Sequence, residues 1–152
     1  MAKLQINDQL VIEIPEEYVQ LNKEEMEKRF PGKVDIVAFE NKSVHQNIII
    51  QWHKSNRLLL AISDLNSMVK QNAKYTKDAL SGNDFAIDKY ISGELKKTNY
   101  IGYIATFNIN GTNRYMKSIF FKRKGFFQSI SLYKDDSDFS IFNPIIESIE
   151  QY

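Results

Sequence analysis

The chain has 152 residues, 43% of them hydrophobic and 26% charged, with a formal net charge of +1 and no cysteine. That is one domain's worth of chain with enough apolar residues for a core of its own, which excludes wholesale disorder. The lack of cysteine excludes a disulfide framework, a thiol nucleophile and a zinc–cysteine site, and the near-neutral charge gives no electrostatic footprint for nucleic acid or an acidic membrane surface.

Met1-Ala2-Lys3-Leu4-Gln5-Ile6-Asn7-Asp8 has a single Lys and no apolar run before Asp8, so it does not read as a signal peptide. Residues 4–14 alternate loosely, as a strand or a short hairpin through Asn7-Asp8, and Pro15 stops them. Asn22 with Glu25 three residues later forms a capping-box pattern, which predicts a short helix over 23–29 that ends at Pro31-Gly32. Residues 34–39 and 48–52 predict a hairpin around Asn41-Lys42-Ser43. With Ser55 or Asn56 as cap, Leu58, Leu59, Ile62, Leu65, Met68 and Val69 form the apolar stripe of one amphipathic helix running to about Lys74. Residues 72–84 are irregular and read as a surface loop. A weaker strand over 85–95 follows, with Gly93 as a bulge or a close approach.

Residues 100–109 end at Asn110-Gly111, the strongest short hairpin signal. Residues 112–122 return to Arg123-Lys124-Gly125, and 126–133 form the third strand of a meander. Phe139, Phe142, Ile146 and Ile149 then recur at helical spacing. Pro144 favours a terminal helix that begins at Asn143 as cap, with Pro144 in the first position; a start at Asp138 is the alternative. The strands are apolar in both phases: Ile101, Tyr103, Ala105, Phe107 and Ile109 on one face, Tyr100 and Ile104 on the other. Both sides of the sheet therefore need cover. The expected fold is one α+β domain over residues 1–152, a three-layer sandwich of a central antiparallel sheet with helices on both faces.

This arrangement resembles the PsbP-like family. The likeness is carried by Val11-Ile12-Glu13-Ile14-Pro15, by the meander with Asn110-Gly111, by Lys124-Gly125 before Phe126-Phe127-Gln128-Ser129-Ile130-Ser131-Leu132, and by Phe139, Phe142, Ile145-Ile146 and Ser148-Ile149. The resemblance implies binding more than catalysis. Members of that family include a photosystem II extrinsic subunit, a Ran-binding import factor, bacterial lipoproteins and chaperones of type VI secretion effectors. No lipidated-cysteine signal is present here, and no member's binding residues map onto this chain by position.

The chemistry-bearing residues are few. His45 and His53 are the only imidazoles; on one strand they would lie about 26 Å apart, too far to share a metal ion. A hydrolase reading would pair one of them with Asp84 or Asp88. Asp135-Asp136-Ser137-Asp138 clusters carboxylates without the spacing of a calcium loop, and acidic groups there suit a helix N-terminus. Lys122-Arg123-Lys124 among Phe120, Phe121, Phe126 and Phe127 makes a basic tip, a pairing that nucleic-acid binders use, though hairpin charges ordinarily keep a turn solvated. No nucleophile elbow, phosphate-cradling loop, cofactor pattern or metal set appears. The expected function is non-enzymatic recognition of a protein or peptide by an aromatic sheet face, with Trp52, Tyr103, Tyr115 and Phe127 as its residues; a small-molecule carrier would instead need an enclosed apolar pocket. Neither a nucleic-acid partner nor membrane insertion is expected. The location is expected to be cytoplasmic, unless an export segment preceded Ala2.

Overall fold

A computed structural model describes all 152 residues. In chain order they form β1 (Ala2–Asn7), β2 (Leu10–Ile14), β3 (Val19–Gln20), α1 (Lys23–Arg29), β4 (Ile36–Asn41), β5 (Gln46–Lys54), α2 (Arg57–Ile62), α3 (Leu65–Ala79), β6 (Ala86–Glu94), β7 (Asn99–Ile109), β8 (Thr112–Arg123), β9 (Phe126–Lys134), α4 (Phe142–Glu147) and β10 (Glu150–Gln151). Seven strands make an antiparallel sheet in the order β3-β4-β5-β9-β8-β7-β6, and β1-β2-β10 make a second, three-stranded one.

Local chemistry sets these elements. The turns of the meander, Asn110-Gly111 and Lys124-Gly125, take φ of 51° and 83° and of 51° and 81°, the paired left-handed conformations that a two-residue hairpin needs. Asn22 and Glu25 form the expected capping box: Asn22 Oδ1 accepts from the Glu25 amide at 2.9 Å, and Glu25 Oε1 accepts from the Asn22 amide at 3.2 Å. Both edges of the large sheet are modest. β3 has only two residues; β6 is bulged between Ile87 and Lys89, which blunts it against pairing with another chain. Gly93 is a close approach rather than the bulge, because a Cβ there would sit 2.4–2.6 Å from the Tyr100 ring on β7.

The period of two divides each strand between two cores. One face of the large sheet, the inner face, carries Phe39, Ile48, Ile50, Ile119, Phe121, Ile130 and Leu132 against Leu10, Ile12 and Ile14 of β2 and Phe142, Ile145 and Ile146 of α4. The outer face packs Tyr103, Ala105, Phe107, Met116 and Phe120 beneath Val69 and Ala73 of α3. Each fully buried Phe or Ile adds about 1.5–3 kcal/mol. The result is the expected sandwich, α+β with the antiparallel sheet in the middle; on the inner side its cover is a small sheet as well as a helix.

Three expectations change. The single helix over 55–74 is two helices. Ser63 is extended (φ −73°, ψ 140°) and Asp64 caps α3 by accepting from the Asn66 amide, so Ser63-Asp64, a start signal inside the apolar stripe, overrides its periodicity. Residues 72–79 are helical rather than a loop, because Ala73 is buried and Thr76 and Asn72 meet the Tyr103 hydroxyl; the turn follows over residues 80–84, with Gly82 at φ 86°. The terminal helix starts at Phe142 with Ile141 as its cap, not at Pro144 with Asn143 as cap. Pro144 is tolerated in its third position because first-turn amides have no partner within a helix.

Lys122 holds α2 in place. Its Nζ donates to the carbonyls of Leu60 (2.7 Å), Ala61 (3.3 Å) and Ser63, at the C-terminal end of the helix. Cations are favoured there, and a charged donor contributes about 1.5–3 kcal/mol. Lys122→Met is therefore expected to lower stability by about that amount in urea unfolding and to speed hydrogen exchange across residues 57–64. An unchanged exchange pattern would show that α2 is held by Leu60 alone.

Candidate functional site

The outer face is not fully roofed. α3 lies over β7 and β8, and α1 stands beyond β4, so the outward side chains of β5 are left between them. In β5 these are Asn47, Ile49, Gln51 and His53, because Ile48 and Ile50 point into the inner core. The register sets Ile49 beside Ser131, Gln51 beside Ser129 and His53 beside Phe127. Gln51 is exposed at the middle of this floor.

The floor opens into a cavity at each end. One, of about 250 Å³, lies against α1 and is walled by Phe30, Ala38, Ile49, Phe107 and Tyr133. The other, of about 350 Å³, lies against α2 and α3 and is walled by Leu59, Met68, Tyr75, Phe127 and His53. Ile49 and His53 are about 13 Å apart along the strand, so the two cavities lie in line on either side of exposed Gln51; this strip of β5, the trench, matches the length of several residues of a bound chain. β5 is paired on both sides, with β4 and β9. A ligand here would meet side chains rather than free backbone, which excludes strand addition as the mode of recognition.

The wall of the α1-end cavity also includes two cations, Arg29 and Arg114, both held in ion pairs. At the α1 end, Arg29 pairs with Glu40 at 2.8 Å, and Arg114 pairs with Asp135 and donates to the His45 carbonyl at 2.8 Å. Burial pushes the Tyr133 phenol up to about 12, so this floor residue is neutral at ordinary pH.

The four residues expected to form a binding face do not share a surface. Tyr103 is 1% exposed, stacked on Phe120 beneath α3, and its hydroxyl donates to Asn72 Oδ1 at 3.0 Å. Trp52 and Tyr115 pack against the inner core, the opposite side of the sheet. Phe127 alone reaches the trench. The helical residues of the walls, Phe30, Leu59, Met68 and Tyr75, escaped sequence reasoning; the Ser63-Asp64 break is the signal that would have separated Leu59 from a buried stripe.

The remaining candidates are dispersed. His45 sits in a left-handed turn (φ 52°), and His53 is exposed in the trench. No carboxylate pairs with either. Asp88 lies on β6, four strands from β5, roughly 19 Å across the sheet, and Asp84 lies in the turn two residues before that strand. The acidic run is engaged within the chain: Asp135 with Arg114, Asp136 with Lys134 at 2.9 Å, and Asp138 Oδ1 with the Ser140 amide at 3.0 Å. At the basic tip, Phe120, Phe121 and Phe126 are buried and present no ring for a base to stack on.

No protein-family model and no curated protein matches this chain. Solved structures do. The solution structure of cyanobacterial PsbP (CyanoP) from Synechocystis sp. PCC 6803 superposes with a TM-score of 0.70 at 12% identity, covering 95% of this chain and 88% of that one. The crystal structure of PA94 from Pseudomonas aeruginosa, a protein of unknown function described as a putative regulator, superposes with a TM-score of 0.55 at 12% identity, covering 75% of this chain and 79% of that one. At such identity the likeness is one of architecture. The structure is thus an α+β sandwich of the PsbP-like fold.

Proposed function

We propose that this chain is a non-enzymatic binding protein, an adaptor or chaperone whose trench along β5 takes an apolar segment of a partner protein. The observation that carries this reading is the uncovered strip of β5 between α1 and the α2–α3 pair, with aromatic and aliphatic residues in the walls at both ends and the two arginines of the α1 end held in ion pairs. Aromatic residues in such half-buried settings are the usual anchors of protein interfaces. The PsbP-like architecture is compatible with binding and adds no residue to the site.

Gln51 tests the reading because it is exposed at the centre of the floor and makes no side-chain hydrogen bond in the fold. Gln51→Arg places a long cation where an apolar segment would lie and leaves the core untouched. A partner that co-purifies with the wild-type protein is expected to bind Gln51→Arg at least thirtyfold more weakly, about 2 kcal/mol, with the melting temperature unchanged. Ser92→Arg, on exposed β6, is expected to bind normally. Equal affinity of wild type and Gln51→Arg would remove the trench from the binding surface.

A further inference from the structure

The net charge of +1 conceals an uneven distribution. Residues 95–134 contain no Asp or Glu against eight Lys and Arg, and residues 41–63 also contain no acid. The register brings these segments together, with Lys54 and Arg123 both opposite Phe126. Lys54, Arg57, Lys122, Arg123 and Lys124 therefore gather at one end of the large sheet. None of the five is ion-paired with a carboxylate. Between α2 and the β8–β9 turn lies a cavity of about 250 Å³ whose wall includes Arg57, Thr98, Lys122, Arg123, Lys124 and Gly125. Arg123 Nε is buried there with no hydrogen-bond partner, a donor without an acceptor.

The other flank of this basic end is α2. Leu58 and Ile62, one helical turn apart, are each 74% exposed, while Leu60 is turned into the protein. They line neither the basic cavity nor the trench. Together they form an exposed apolar ridge beside a cluster of cations without carboxylate partners. A ridge offers a peptide no walls, and the buried rings of Phe120, Phe121 and Phe126 offer a nucleic acid no stacking platform. A flat, negatively charged surface with an apolar interior fits both features.

We propose that α2 and the basic end of the sheet dock this protein peripherally on an anionic lipid bilayer. Leu58 and Ile62 enter the boundary between headgroups and acyl chains, and the basic cavity receives a lipid phosphate. No helix is long and apolar enough to cross a membrane, so the contact is interfacial. The near-neutral total charge, which argued against an acidic membrane surface, is the sum of a basic end and acidic remainder. This surface is separate from the trench and stands or falls independently of it.

The test is flotation of the full chain with vesicles of phosphatidylcholine alone and of phosphatidylcholine with phosphatidylglycerol. Binding is expected to the anionic vesicles only, and to be lost at high salt. Each cation near such a surface accounts for about a fivefold change in affinity, so Arg57→Glu with Lys124→Glu is expected to weaken binding at least about twentyfold. Leu58→Ser with Ile62→Ser is expected to weaken it about tenfold or more at an unchanged melting temperature, since both side chains are already in water. Absent or equal binding to the two vesicle types would overturn the proposal. So would tighter binding to an oligonucleotide or an acidic peptide with the Leu58/Ile62 variant unaffected, which would assign the cations to a macromolecular partner.

Discussion

Gly102→Ala is expected to destabilise the protein by about 3 kcal/mol or more, enough to leave much of a marginal domain unfolded. Gly102 lies in β7 opposite Ile119 of β8, and a Cβ added to it would stand 1.9 Å from the Ser118 carbonyl oxygen and 3.1 Å from the Ile119 Cα. These are backbone atoms of a strand hydrogen-bonded on both sides, so neither can yield as a side chain would. Relief would require β7 and β8 to separate at the centre of the sheet. Overpacking of side chains costs about 1–3 kcal/mol; a clash with the ladder itself lies at or beyond the top of that range. Gly93→Ala provides the comparison, because the atoms in its way belong to the Tyr100 ring, which can swing aside, and a loss of about 1–2 kcal/mol is expected. Urea unfolding of both variants decides it. A Gly102→Ala protein within 1 kcal/mol of wild type would mean that the strands are not held at this spacing.

Gly102 also marks where sequence reading ends. A glycine in a strand suggests a close approach, but nothing in the chain says which strand approaches or from where. The fold was legible where a residue type is demanded by local geometry. Asn110-Gly111 and Lys124-Gly125 supply the left-handed pairs that define the meander, and Asn22 with Glu25 defines the start of α1 to the residue. It was illegible where tertiary contact decides. The ends β3 and β10 are two-residue strands that exist only because β4 and β2 offer them ladders. α3 runs on to Ala79 because its inner side is buried against β7, although most of its outer side is polar. The apolar stripe from Leu58 to Val69 fits one helix by period and is cut by two polar residues whose caps count for more.

The site was less legible than the fold, for a related reason. Composition shows that the aromatics are too many for one buried face; it does not show which face keeps its cover. Tyr103, Trp52 and Tyr115 look alike in sequence, yet α3 covers the first, and the other two lie on the side that the small sheet occupies. The trench results from an absence, the gap between α1 and α3 above β5, and no residue signals a gap. The basic end was partly visible as Lys122-Arg123-Lys124. Its real extent depends on the register that brings Lys54 and Arg57 beside that turn.

Above pH 10 the protein is expected to lose stability steeply, and Tyr18 is the reason that can be isolated. Tyr18 is 5% exposed, and its hydroxyl donates to Gln46 Oε1. Burial, helped by the charge of Glu17, pushes its phenol from 10.0 up to about 12. A raised phenol binds its proton more tightly folded than unfolded, so its contribution is fully present below pH 10 and disappears as pH rises through about 12. Two pH units correspond to about 2–3 kcal/mol. Tyr133 is raised to about 12 as well, by burial first and by Tyr103 beside it, and its ionisation acts in the same direction. Tyr18→Phe is expected to cost about 1 kcal/mol near pH 8, from the lost hydrogen bond, and to flatten the decline between pH 10 and 12. Lysines that titrate in the same window are common to both proteins and cancel in the difference. Denaturant unfolding across that window, with tyrosinate absorbance recorded alongside, is the measurement, and parallel curves for wild type and Tyr18→Phe would show that the phenol ionises equally well in the folded state. The same physics bears on the trench. Tyr133 keeps its proton to about pH 12, so the floor at the α1 end carries no phenolate charge in the physiological range, and apolar binding there should tolerate salt, whereas docking through the basic end should follow ionic strength. The two surfaces are thereby distinguishable by ionic strength: added salt should release an anionic surface from the basic end and leave an apolar segment in the trench.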